Sequence, residues 1–328
     1  MTKPSNSGFR PRRREFLIGL LAAGSLPSAR AAGQSGIFRV IVPLGPGSMS
    51  DTFARALAPS LGVELGQSVI VENAPGANGV IAVRTLMRAP ADGNTAIAVT
   101  PSTFVINELV DKELPYNTER DLRLLTIATR GPMALVVGAN SRFKSLRDIL
   151  DAASDRPDTV TMGGYGDYFR MSLAALEETA RVRFTYIPYA GATGSLVTDL
   201  MSGVVDSAQL DLTGVSGLIL SGRLKALAVT GSERSRLLPD VPCMRELGVA
   251  YENYGWMGFA IRRNTPEEVA MRVERVLVHA ITGAEFRAVV DRTGGNEVVA
   301  LSGAEMAEFI AAERKRYAQV VNKIPKDR

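Results

Sequence analysis

Residues 42–51, Val42-Pro-Leu-Gly-Pro-Gly-Ser-Met-Ser-Asp51, stand between an apolar run, FRVIV (38–42), and a helical pattern, TFARALAPSLGVEL (52–65). A strand that breaks into glycines and then opens a helix aims unpaired backbone N–H groups and the positive end of the helix dipole at one point. An anion is therefore expected there. A dinucleotide pyrophosphate and a small carboxylate both suit the description.

The dinucleotide reading takes Gly45-Pro46-Gly47-Ser48-Met49-Ser50 as an imitation of G-x-G-x-x-G, with Glu72 ending the next strand where a ribose-binding acid would stand. Against it, the third glycine is Ser50, and Asp51 adds a negative charge where pyrophosphate should approach. The second apolar run also ends in a glycine-rich loop, ENAPGANG (72–79), and Thr100-Pro101-Ser102-Thr103 closes the third. A Rossmann domain needs one phosphate loop. Three loops at the C-terminal ends of adjacent parallel strands would instead line a crevice with N–H and hydroxyl donors.

From residue 37 short β-branched runs alternate with amphipathic stretches: FRVIVPL, QSVIVEN, TAIAVTP, MALVVGA (133–139), TVTMGGY, FTYIPYA, VDSAQLD and KALAVTG. This is an α/β pattern, with parallel sheets as its natural consequence. Helices are expected near 51–64, 79–89, 145–153, 170–180, 194–202 and 214–222. After YGWMGFAIRRN (254–264) the pattern turns helical, at 266–282, 284–293 and 303–321, and this late segment should pack back on the first sheet. The chain would cross twice between two lobes, near 130–137 and 250–258.

The 328 residues carry a formal charge of +4 and are 46% hydrophobic, enough for a large core. Residues 1–31 combine a basic cluster, an apolar run too short to span a bilayer, and small residues at Ala29 and Ala31, the pattern of a cleaved export signal. Arg13-Arg14-Glu15-Phe16-Leu17 resembles the twin-arginine signal. Removing 1–31 takes away six of 38 Lys+Arg and one of 34 Asp+Glu, leaving 32 against 33. The mature chain is near neutral and gives no support to a nucleic-acid or membrane-surface partner. One cysteine, Cys243, and one histidine, His279, leave no disulfide framework and no metal-ligand spacing. His279 falls in a helix with Thr265 as N-cap and Glu268 closing a capping box, and a packing role is expected for it.

The succession VIVPLGPGSMSD, VIVENAPGANGVIA, ADGNTAIAVTPSTFVIN, FTYIPYAGATGSLVTDLMSG, VDSAQLD, GRLKALAVTGSERSRLLPDVPCMRELG and YGWMGFAIRRNTPEEVAMRV closely resembles the Bug, or tripartite tricarboxylate receptor, family of periplasmic binding proteins. The resemblance covers nearly all of the mature chain. It implies a type II periplasmic binding fold of two α/β lobes, 36–133 with 254–328 and 134–253, joined by two crossover segments and closing on a small organic acid. It implies delivery of that mono-, di- or tricarboxylate to a membrane transporter or a sensor, by a monomer that needs no cofactor and performs no catalysis.

Carried over by position, the resemblance makes the carboxylate cradle from Gly45, Pro46, Gly47, Ser48, Met49, Ser50 and Asp51 with Asn73, Pro75, Gly76, Ala77, Asn78 and Gly79. Thr100, Ser102 and Thr103 add hydroxyls. On the second lobe it places residues 163–170, Tyr189, Gly191 and Asp211 at the cleft. Tyr189 can also be read as a packed strand-end aromatic and Asp211 as a helix N-cap. The sequence departs from the family pattern in GGYGDYFRMS (163–172), where Tyr165, Gly166 and Phe169 accompany Arg170. An arginine opening a helix beside an aromatic wall suits the second carboxylate of a ligand with two acidic groups. A twin-arginine-exported oxidoreductase, with a nicotinamide cofactor bound in a Rossmann-like first domain, is the alternative.

Overall fold

The computed structural model describes residues 1–2, 36–189, 193–293 and 295–321; most of the expected export segment and the candidate Gly191 lie outside the described residues. The chain from Gly36 onward is α/β. Its described strands are β1 (Ile37–Val42), β2 (Ser68–Asn73), β3 (Thr95–Val99), β4 (Leu122–Gly138), β5 (Thr161–Gly164), β6 (Thr185–Pro188), β7 (Ser207–Asp211), β8 (Leu224–Val229), β9 (Tyr254–Arg262) and β10 (Glu297–Leu301).

Two parallel sets lie in one continuous strand order, β2-β1-β3-β9-β4-β7-β5-β6. In the first, β1 is central, paired with β2 from Ile37↔Ser68 to Val42↔Asn73 and with β3 from Arg39↔Thr95 to Ile41↔Ile97. All three therefore end on the same edge. In the second, β5 is central between β6 and β7.

The expectation of parallel sheets fails for β9 and β4, which join these sets, and for β8 and β10, which flank β4: all four pair antiparallel. β4 runs for 17 residues, of which the sequence pattern marks only the second half. Its first half pairs with β9 as far as Pro132↔Tyr254, and its second begins with Met133↔Asp211 on β7. Pro132 has no N–H to give a ladder, which suits the place where one strand changes partners. There Thr230 knits the crossing: its hydroxyl donates to Asn253 O at 2.5 Å and accepts from Met133 N–H at 2.9 Å.

Helices follow the strands, most within a residue or two of expectation: Met49–Leu65, Val80–Arg88, Leu146–Asp155, Thr193–Ser202 and Leu212–Leu220. Two differences matter. The helix expected at 170–180 begins earlier, as Gly166–Ala180. The helix Glu267–Thr282 starts with Pro266, not Thr265, at its N-cap position, and the Thr265 hydroxyl is buried without a partner, so the capping box does not form. His279 is exposed on that helix and pairs with Glu64 at 2.5 Å, tying it to Met49–Leu65.

The late helix Gly303–Val321 packs back on the strands as its amphipathic pattern requires, burying Ile310, Tyr317 and Val320 in the same core as Phe104, Ile106 and Tyr168. Trp256 on β9, fully buried, donates its indole N–H to Glu313 Oε2 at 2.8 Å, and Arg316 reaches the same oxygen at 3.0 Å. Glu313→Ala leaves the buried indole N–H without an acceptor and takes the carboxylate from the half-buried Arg316, and is expected to cost about 3 kcal/mol in chemical denaturation. Glu313→Gln, which keeps an acceptor, should cost clearly less. Equal losses for the two variants would show that the carboxamide cannot replace this contact.

Candidate functional site

The strand-end edge of β1, β2 and β3 faces the helix Gly166–Ala180, the end of β7 and the start of β9 across a cavity of about 610 Å³. What brings the first three loops together is close packing at Gly79. A Cβ there would lie 2.3 Å from Thr103 Cγ2 and 3.1 Å from Pro43 Cβ, so all three loops meet at one backbone position. Behind this contact Asn107 donates to Asn78 O at 3.1 Å, and the Tyr116 hydroxyl donates to Thr103 O at 2.8 Å. Burial pushes the Tyr116 phenol far above its ordinary range, so it stays a neutral donor.

Each loop presents donors for a different reason. At the first, Ser48 is the N-cap of Met49–Leu65 and its hydroxyl accepts from Asp51 N–H at 3.3 Å. Met49 and Ser50 occupy the first helical turn, whose N–H groups have no intrahelical acceptor, and both border the cavity with Gly45. The Ser50 hydroxyl is buried there without a hydrogen-bond partner. At the second loop, Ala77 (φ 46°) and Asn78 (φ 51°) follow Gly76 and precede Gly79, all with positive φ. Two non-glycine residues in the left-handed region cost of order 1–3 kcal/mol each and are characteristic of ligand clamps. Pro75, Gly76, Ala77, Asn78 and Gly79 all line the cavity, as do Thr100, Ser102 and Thr103. The Thr103 hydroxyl is engaged by its own loop, accepting from Thr100 N–H at 2.9 Å.

Five candidates stand behind or beside this wall. Asp51 is buried and accepts from Gly47 N–H, Arg55 Nε and Asn73 Nδ2, each at 2.9 Å. Asn73 also donates to Leu44 O at 2.9 Å, so Asp51 and Asn73 join the first two loops and do not line the cavity. Gly47 gives its N–H to Asp51, which removes a donor that a pyrophosphate would need. Pro46, Gly47 and Ser48 border a smaller neighbouring cavity of about 290 Å³ shared with Leu44, Gly45 and Tyr165.

On the facing side, Tyr165, Gly166, Tyr168 and Phe169 line the cavity with Tyr189 and Asp211. Tyr165 and Phe169 stack at 4.1 Å between centroids, and Tyr168 meets Phe169 edge-on at 5.2 Å. Tyr168 also meets Tyr317 edge-on at 6.3 Å, so the late helix braces this aromatic wall. The Tyr189 hydroxyl donates to Asp199 at 2.5 Å, and burial together with that partner pushes its phenol up to about 12. Asn78 reaches across to Asp167 Oδ2 at 2.6 Å, joining the second loop to the helix opposite.

Arg170 is not among the lining residues. Because the helix starts at Gly166, Arg170 lies a full turn inside it and about 100° round from Phe169. Its charge acts on Asp167, three residues earlier, and on Tyr186. Sequence reasoning passed over Pro43, Leu44, Pro101, Gly255 and Trp256, which complete the lining. An apolar residue at a strand end carries no signal separating a cavity wall from core.

Asp211 sits at the N-cap position of Leu212–Leu220 without capping it. Burial pushes its carboxyl up to about 6, above about 3.9 in an unfolded chain. The folded state thus holds this proton more tightly than the unfolded state, and the stability that Asp211 contributes is lost as pH rises through that interval. Asp211→Asn should raise the melting temperature near pH 8 and leave it close to the parent protein near pH 4. The same change at both pH values would mean that the cost is not that of the ionised group.

The sequence profile of the tripartite tricarboxylate transporter family receptor matches residues 53–325. A Pseudomonas protein encoded in the tcbD-tcbE intergenic region is 29% identical over 319 residues, covering 94% of each chain. Among solved structures, an R. palustris protein with adipate superposes with a TM-score of 0.82 at 26% identity, covering 89% of this chain and 98% of its own. The periplasmic binding protein BugD superposes with a TM-score of 0.80 at 24% identity, covering 89% and 98%. The chain belongs to the tripartite tricarboxylate transporter receptor family and has the α/β fold of the Bug-type periplasmic binding proteins.

Proposed function

We propose that the protein is an exported solute receptor that captures a small organic carboxylate between two closing lobes and hands it to a membrane transporter or a sensor. The lobes are 36–133 with 254–328, and 134–253. The observation that carries this reading is the composition of the cavity wall: three loops of backbone and hydroxyl donors converge on one side, and no Lys, Arg or His is among the described lining residues. Neutral dipoles fixed by packing suit a ligand that must be bound and then released, because they hold an anion without an ion pair. The R. palustris relative with adipate supports an organic acid as the cargo. No residue is assigned a catalytic step. The cleft is complete within one chain, which fits a monomeric receptor in the periplasm.

Native mass spectrometry of protein purified without denaturation should release a carboxylic acid. Where none is retained, a carboxylate supplied at about 100 times its dissociation constant should stabilise the fold by about 2.7 kcal/mol. A retained ligand without a carboxyl group, or no response to any mono-, di- or tricarboxylate, would contradict the assignment. For export, replacing Arg13 and Arg14 together by lysine should leave full-length precursor in the cytoplasm; unchanged processing would point to the general secretory route.

A further inference from the structure

The two sides of the cavity differ in what they offer. The strand-end loops offer donors, whereas the helix opposite offers rings whose polar tips are engaged elsewhere. Tyr189 gives its hydroxyl to Asp199. The Tyr168 hydroxyl is directed at Met133 Sδ, 3.4 Å away, and accepts from Asn253 at 3.2 Å. Trp256 gives its N–H to Glu313. What remains on that side is apolar aromatic surface and one charge, the Asp211 carboxylate.

Among the described residues Asp211 is the only charged side chain lining the cavity, and no hydrogen bond or ion pair is made by its carboxylate. Its near neighbours are the Gly255 backbone, where a Cβ would lie 2.8 Å from Oδ1, and the Tyr168 hydroxyl. A second ligand carboxylate would meet a like charge there with no cation to offset it. An O–H or N–H group would give Asp211 the partner it lacks.

Resting on the carboxylate reading above, we infer that the cavity takes a monocarboxylate with a flat aromatic or otherwise apolar body and a hydrogen-bond donor, hydroxyl or ammonium, at the end that meets Asp211. The carboxylate lies against the strand-end loops and the body against Tyr165, Tyr168 and Phe169. Flat rings gain by stacking on such a wall. The dicarboxylate expectation attached to Arg170 falls away with the placement of that side chain.

The test is calorimetric titration of the intact protein near pH 8, where Asp211 is ionised, with benzoate, 3- and 4-hydroxybenzoate, 4-(aminomethyl)benzoate, terephthalate and adipate. At least one donor-bearing monocarboxylate should bind about tenfold tighter than benzoate, and both dicarboxylates should bind more weakly than it does. The hydroxyl and aminomethyl arms distinguish the two kinds of donor. In Asp211→Asn the advantage of the donor should shrink and the dicarboxylates should gain. Tighter binding of terephthalate or adipate to the parent protein, or a donor preference unchanged in Asp211→Asn, overturns the inference while leaving a carboxylate receptor intact. Binding of none of the six acids removes the inference, and the stabilisation screen with mono-, di- and tricarboxylates then decides the reading on which it rests.

Discussion

The approach of three strand ends at Gly79 is the constraint on which the rest of the site depends. Pro43 and Thr103 touch the backbone of the second loop only because position 79 has no side chain, and its φ of 86° is one that glycine adopts without strain. With the loops held that close, the N–H groups of the second loop and of the first turn of Met49–Leu65 face one volume. The Asp51, Asn73 and Arg55 hydrogen bonds then fix the first loop against the second from behind. A carboxyl group that looks from the sequence like a ligand contact thus serves to aim the backbone.

Several groups at the site are less stable than they could be, and the direction is the same each time. Ala77 and Asn78 hold left-handed conformations, the Ser50 hydroxyl is buried unpaired, and Asp211 is desolvated without a counter-charge. The Ser50 hydroxyl and the Asp211 carboxylate would each gain from a partner arriving in the cavity. Buried groups behind the cavity wall find partners within the protein: Tyr251 donates to Ser172 O at 2.9 Å, and Trp256 donates to Glu313. An unpartnered hydroxyl and an unpartnered carboxylate on the wall of one cavity are groups that an arriving ligand can satisfy.

The two parallel sets were legible because β-branched runs ending in Gly, Pro and Asn give a strong local signal, and the three loops were legible for the same reason. The first half of β4 was not. Gly131-Pro132 reads as a turn, yet here the strand continues through it and exchanges one set of partners for another, a tertiary fact with no local marker. Arg170 was misplaced because the helix start shifted by four residues: Gly166, at φ 71°, enters a helix that the sequence pattern begins at 170. That shift turned Tyr165, Tyr168 and Phe169 toward the cavity and Arg170 away from it. Asp211 carried two readings in the sequence, and both describe its position, since it occupies an N-cap place while its side chain borders the cavity.

The central claim is that backbone dipoles at three strand ends, and not a cationic side chain, hold the ligand's carboxylate. Nuclear magnetic resonance of the ¹⁵N-labelled protein during titration with a bound carboxylate tests it most directly. The account predicts downfield shifts of amide protons in the first turn at Met49 and Ser50 and in the second loop at Ala77 and Asn78, with arginine side-chain resonances unmoved. Shifts confined to guanidinium groups, with those loop amides unchanged, would contradict it.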